Sequence, residues 1–181
     1  MSKNHISYND LTKEKSIEPI KYSDLLITKE WNQIREKVLK RDDYYCVNCG
    51  YSETLWHKGD LYSFDKKRKF DTIHKGARIT ADHPFKAEKP IYLHVHHSYY
   101  VKDKLPWEYK LDSLKTLCNW CHWAFHENNT VPIFIEKEGE LVEINCTPCF
   151  RCNGAGIFPE YKHVENGICF RCNGSRYEEL I

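Results

Sequence analysis

The chain has 181 residues, with 27 Lys and Arg against 26 Asp and Glu, nine cysteines, ten histidines and a 14% share of aromatics. That length fits one modest domain or two small ones, and aliphatic residues are too few for one large apolar core, so small zinc-stapled cores are expected. No apolar run reaches the length of a membrane span and the lysine-rich start lacks a secretory apolar stretch, which predicts a soluble cytoplasmic protein, no membrane partner, and cysteines that bind metal rather than form disulfides.

In chain order, residues 1 to 27 show no clear period and are expected to form a partly disordered arm. Trp31, Ile34 and Val38 recur at helical spacing behind Thr28, a capable N-cap, so a helix is expected from Thr28 to about Asp42-Asp43. It leads into Cys46-Val47-Asn48-Cys49-Gly50, the first of four Cys-x-x-Cys pairs. A polar insert at about 51–90 follows; its basic run Lys66-Lys67-Arg68-Lys69 reads either as a nucleic-acid contact or as a solvated loop face. Inside it, Asp82-His83 before Pro84 reads as a turn.

The alternation of Ile91-Tyr92-Leu93-His94-Val95-His96-His97 is the strongest strand signal. Residues 98 to 112 read as a loop broken at Pro106, in which Trp107 and Tyr109 pack. Leu114 to Leu117 form a short return strand and Cys118 to about Glu127 a helix, which completes a strand, loop, strand, helix unit. Val131 to Glu136 and Glu140 to Ile144 flank a Glu138-Gly139 turn and make a hairpin linker at 131–145, ahead of a last module at 146–181.

On a helix, residues four apart share a face, so His122 and His126 can bind one ion together. Cys121 sits one position earlier, roughly 100° around the helix, and its thiolate can serve a different ion. On a strand, His96 and His97 point to opposite faces and are suited to divided labour, one a ligand and the other a base. His94 shares the face of His96 and competes as a ligand, although a packed or exposed side chain is the better reading.

The arrangement Trp31, Arg35, Val38-Leu39-Lys40-Arg41-Asp42, Cys46-x-x-Cys49-Gly50, Leu93-His94-Val95-His96-His97 and Leu117-Cys118-x-x-Cys121-His122-x-x-x-His126 resembles an HNH endonuclease with a zinc-knuckle ββα-metal core. The resemblance covers about Thr28 to Glu127, within a domain at 28–130, interrupted by the insert. It implies an α+β fold in which Cys46, Cys49, Cys118 and Cys121 hold structural zinc. It further implies that His96, His122 and His126 hold a catalytic Mg²⁺, Mn²⁺ or other divalent ion, and that His97 is the general base for hydrolysis of DNA. The motif's middle Asn is replaced here by Asp112-Ser113, either of which would have to brace the loop. Asn119 lies on the wrong side of the second strand for that role.

The last module repeats itself. Cys149-Phe150-Arg151-Cys152-Asn153-Gly154-Ala155-Gly156 is echoed by Cys169-Phe170-Arg171-Cys172-Asn173-Gly174-Ser175-Arg176, four thiolates at the spacing of a closed zinc site. The first copy resembles a knuckle of the cysteine-rich region of J-domain chaperones; the second has Arg176 in place of the final Gly. Arg151, Arg171 and Arg176, interleaved with Phe150, Phe170, Tyr161, Lys162 and His163, suit stacking and phosphate contacts on nucleic acid, and a protein-docking or purely structural knuckle fits as well. Cys146, the odd cysteine, reads as a free buried thiol. With two four-thiolate zinc ions bound, the formal charge of +1 becomes about −3, so DNA would be held by local patches. The rival to the nuclease is a non-catalytic zinc adaptor that binds DNA or protein.

Overall fold

The computed structural model describes residues 5–161 and 163–181; Lys162 and the first four residues of the expected arm lie outside them. The described part of the arm is ordered. It forms helix α1 (Tyr8–Glu14), capped by Ser7, and a helical turn α2 (Tyr22–Leu25). Its anchor is the next helix, α3 (Lys29–Arg41): both carboxylate oxygens of Glu30 accept the Tyr8 N–H, at 3.0 and 3.2 Å, and the Lys29 N–H donates to the Ile6 carbonyl at 2.8 Å. Periodicity could not announce these elements, because α1 buries only Leu11 and takes most of its fixing from polar contacts.

Helix α3 begins as its sequence implies, with Thr28 Oγ1 accepting the Trp31 N–H at 3.3 Å. Trp31, Val38 and Leu39 form its buried stripe.

The insert is not a loop. Strands β1 (Leu55–His57), β2 (Asp60–His74) and β3 (Ala77–Lys86) make an antiparallel sheet in the order β1-β2-β3. The β2–β3 hairpin turns on Lys75-Gly76, whose φ values of 49° and 82° are those of a tight hairpin turn. Asp82-His83 therefore lies in a strand and not in a turn. Both faces of the outer hairpin are largely exposed, Ile73 and Ile79 included, so the polar-apolar alternation that betrays a half-buried strand is missing. The register jumps between Asp65, opposite His83, and Lys69, opposite Asp82, which throws Lys66, Lys67 and Arg68 out of the ladder as a bulge.

The organising unit comes next. Strands β4 (Leu93–His97) and β6 (Leu114–Cys118) pair antiparallel, with His96 opposite Lys115 and His97 opposite Leu114. Between them the chain forms the short strand β5 (Tyr100–Val101). Helix α4 (Asn119–Asn128) follows β6 directly, its first turn capped by the Cys118 sulfur, which accepts the Cys121 N–H at 3.3 Å. Helix α3 covers the other face of the pair. There Val38, Val95, Val101, Tyr109 and Leu114 pack together, while Leu39, Leu93, Ile91 and Leu117 pack with the cysteines.

Polar ties fix how α3 lies on the strands. Arg35 donates to the Leu93 carbonyl at 3.0 Å, Arg41 donates to the Leu111 and Leu114 carbonyls at 2.5 and 2.8 Å, and Asp42 accepts the Thr116 N–H at 3.0 Å. Arg41 and Asp42 also pair with each other, which holds the Asp42 carboxyl below its ordinary range against the opposing effect of burial.

The expected linker hairpin is present as β7 (Ile133–Lys137) and β8 (Glu140–Ile144), but it does more than connect. β7 pairs parallel with β5 and antiparallel with β8, a second sheet beside the β4–β6 pair. Among the described residues, no helix is long and apolar enough to cross a membrane.

Candidate metal centre

Two chain segments far apart in sequence meet at the first thiol cluster. The sulfurs of Cys46, Cys49, Cys118 and Cys121 lie within 4.8 Å of one another, a set that could hold zinc. Gly50 N–H closes the first knuckle on the Cys46 carbonyl at 2.8 Å, Val47 N–H reaches the Thr116 carbonyl at 2.9 Å, and Asn48 donates to the Cys121 sulfur at 3.3 Å.

One residue further along α4 the second set begins. His122 and His126 share a face of the helix, with their Nε2 atoms 3.3 Å apart, and His96 reaches them from β4 across ring distances of 5.2 and 5.4 Å. Ligand atoms of the three lie within 4.8 Å of one another, and the side chains are only 2 to 4% exposed. Burial, reinforced by the charge of Arg176, pushes His96 down to about 4 and His126 down to about 3; burial likewise drives His122 well below the usual histidine range. All three are therefore neutral at cellular pH, the state in which imidazole donates a lone pair.

The donor set fits a divalent ion. The Nδ1 atoms of His96 and His122 are buried without a hydrogen-bond partner, and two imidazole nitrogens face one another in the same small space. Buried polar atoms of this kind call for a partner. Among the described residues no acidic residue joins the trio, and a three-nitrogen set leaves coordination positions open where a closed four-thiolate site leaves none. A surface groove reaches His96 between Asn48, Ser98, Lys115 and Asn128.

The chain matches no family model, curated protein or solved structure. What the site can do is therefore a matter of its own geometry.

His97 faces away from the trio, as strand alternation requires. Its ring stacks on Trp31 of α3 at 5.4 Å, meets Tyr109 edge-on at 4.6 Å, and is 2% exposed. Its Nε2 lies 3.0 Å from the Pro106 carbonyl. A carbonyl can only accept, so Nε2 carries the hydrogen and Nδ1 the lone pair. Burial pushes its pKa down to about 3, with the Pro106 carbonyl opposing. The loop that supplies Pro106 is braced by Tyr109, whose hydroxyl accepts the Val101 N–H at 2.8 Å. Ser113 also ties the loop, its carbonyl accepting the Ser98 N–H at 2.8 Å and its Oγ donating to the Lys110 carbonyl at 2.7 Å, while Asp112 is exposed. Asn119 has a separate task, accepting the Tyr92 N–H at 2.8 Å ahead of β4.

His94 stacks on His122 at 5.7 Å and stands outside the three-residue set. The basic run of the insert lies on the β2 bulge, where Lys66 pairs with Asp43, Lys69 with Asp82, and Lys67 donates to the Asn48 carbonyl. Arg68 is exposed and, among the described residues, has no ion-pair partner.

Cys149, Cys152, Cys169 and Cys172 form the second thiol cluster, all at most 1% exposed. Cys146 is half-buried and belongs to neither cluster; it packs beside Tyr100, Val131, Ile133 and Tyr177. The module is docked on the strand-helix unit: Asn153 donates to the His126 carbonyl at 2.7 Å, and the Tyr177 hydroxyl donates to the Val131 carbonyl at 2.6 Å. Arg151 and Arg171 are exposed and do not line the histidine site; Arg171 pairs with Glu178 and covers the Phe150 ring at 4.1 Å. Arg176, which the sequence grouped with the other basic residues of the module, instead lines a cleft with His94 and His122.

Proposed function

We propose that this protein is a metal-dependent DNA endonuclease of the HNH type. The observation that carries the reading is the convergence of His96, His122 and His126 on a strand-strand-helix unit clamped by four thiols, with an adjacent histidine, His97, on the strand that bears His96. An Mg²⁺, Mn²⁺ or similar ion held by the trio would supply electrostatic stabilisation of the charge that builds on the phosphate and on the departing oxygen. His97, neutral and with its Nδ1 lone pair fixed by the Pro106 carbonyl, would take the proton of the attacking water. The two thiol clusters would hold structural zinc. Arg68 on the β2 bulge, with its lysine neighbours, would contact the DNA backbone.

The rival reading, a non-catalytic zinc adaptor, draws on the setting of His97, which faces away from the trio, is buried between aromatic rings and is held by that burial at a pKa of about 3, well below that of an efficient base. As a base it needs the groups covering it to yield when DNA binds. Cleavage of supercoiled plasmid with added Mg²⁺ or Mn²⁺, native protein against His122→Ala, separates the two. Nicking or linearisation that disappears in the variant supports the nuclease. A native protein with its zinc in place that never breaks a strand leaves the adaptor.

A further inference from the structure

The two knuckles of the last module superimpose on one another in their hydrogen bonds. Asn153 N–H donates to the Cys149 carbonyl as Asn173 N–H does to that of Cys169; Cys169 N–H donates to the Gly156 carbonyl as Cys149 N–H does to that of Arg176. Gly156 and Arg176 are thus equivalent, and their φ values, 73° and 74°, agree. That left-handed backbone suits glycine and strains any residue with a Cβ. The repeat needs a glycine here, and the second copy carries an arginine.

The arginine side chain runs inward. A Cβ placed on Gly156 would come within 3.1 Å of Arg176 Cγ, so the first knuckle's glycine leaves room for it. Its guanidinium lies over the Tyr22 ring at 4.4 Å and the Tyr100 ring at 4.9 Å, and the residue lines a cleft with Trp31, Arg35, His94 and His122. Its charge is felt at His96, His97, His122 and His126. Its polar partners are neutral, the Gly174 carbonyl at 3.1 Å from Nη1 and the Tyr22 hydroxyl, and among the described residues Nε is buried without a partner. Among the described residues no carboxylate pairs with it. A partly buried cation facing neutral imidazoles and phenol rings lacks its anion.

We infer that Arg176 is a phosphate-binding residue of the histidine site, and that the second thiol cluster exists to hold it there. The inference rests on the nuclease reading for the identity of its substrate, a DNA phosphate, but not for the anion site itself. Guanidinium binds phosphate through paired N–H donors, and a backbone pinned to Cys149 and, through Tyr177, to the Val131 carbonyl keeps that fork in the cleft that His122 lines.

Arg176→Gly is the informative variant, because it gives the second knuckle the residue its backbone favours and so relieves strain. The full-length native protein, Arg176→Gly and Arg176→Lys, each with zinc content measured, are titrated with inorganic phosphate by calorimetry and assayed on plasmid with Mn²⁺. Phosphate affinity is expected to fall about tenfold or more in the glycine variant and to return in part with lysine, while zinc content is unchanged. Equal phosphate binding by native and glycine proteins, or none by the native protein, overturns the inference. If the native protein cuts DNA and the glycine variant cuts and binds phosphate equally well, Arg176 loses its role and the nuclease stands. If neither cuts DNA but phosphate affinity still falls in the glycine variant, the anion site stands and the nuclease reading fails.

Discussion

Replacing His97 tests the proposed chemistry only if the replacement is chosen with its surroundings in view. Alanine removes a hydrogen bond to the Pro106 carbonyl, a stacked contact with Trp31 and an edge contact with Tyr109, all from a side chain 2% exposed. A buried carbonyl left unpaired costs roughly 1–3 kcal/mol and each aromatic contact about 0.5–1.5 kcal/mol, so the variant loses about 3 kcal/mol. For a chain of this size that lowers the melting midpoint by roughly 6–12 °C. Loss of cleavage in His97→Ala would then mix chemistry with destabilisation. His97→Gln separates them: its amide N–H can still donate to Pro106, but it cannot take a proton from water. Loss of a general base lowers the rate about 10²–10⁴-fold, or about 3–5 kcal/mol of barrier. The assay is the single-turnover rate on supercoiled plasmid at fixed Mn²⁺, beside the melting midpoint and the zinc content of each protein. A glutamine variant that cuts at the native rate would falsify the role given to His97. An alanine variant that melts with the native protein would refute the packing argument.

Zinc analysis of the native protein should find two ions per chain, and Cys46→Ser should retain one while destabilising the β4–β6 unit more than the last module. Mass spectrometry under native conditions reads both outcomes, and a Cys46→Ser protein that keeps two ions contradicts the four-thiol assignment. Arg68→Ala should weaken DNA binding more than Lys66→Ala or Lys69→Ala, since those lysines are already paired with Asp43 and Asp82. It should also reduce the salt slope of binding by about one; equal effects at all three positions count against the bulge as a contact. Stability of the metal-free protein should fall as pH drops below about 6.5, because the unfolded chain takes up protons that native His96, His97 and His126 refuse until pH about 3–4. The slope is about 1.4 kcal/mol per pH unit for each such histidine, read from urea melts between pH 7 and 4.5. A flat profile over that range means these rings are not buried neutral.

The elements around the site were legible because local chemistry writes them down. Thr28 before an apolar stripe specifies the start of α3, a Cys-x-x-Cys pair with a glycine specifies a knuckle, and a four-residue spacing puts His122 and His126 on one helical face. The β2–β3 hairpin was not legible as strands, since exposed strands bury no face and so need no alternation. Ser113 does tie the loop, to Ser98 and Lys110, but the Tyr109 brace beside it was not legible, since which polar group spans a loop depends on where its far end lands.

The sequence by itself determined which donors are present and which of them share a turn or a strand: four thiol pairs, a histidine doublet, and a helix offering two imidazoles beside a thiol. The pairing of the knuckles was expected from the resemblance and the repeat, but only the tertiary structure decided that His97 is packed on Trp31 and that Arg176 shares a cleft with His94 and His122. The physical reason is the range of the forces involved. Capping, turn strain and side-chain periodicity act over a few residues and can be read along the chain. Burial, the sharing of a metal site by distant segments and the placing of a charge without its counter-ion depend on long-range packing, to which the chain order of the residues is no guide.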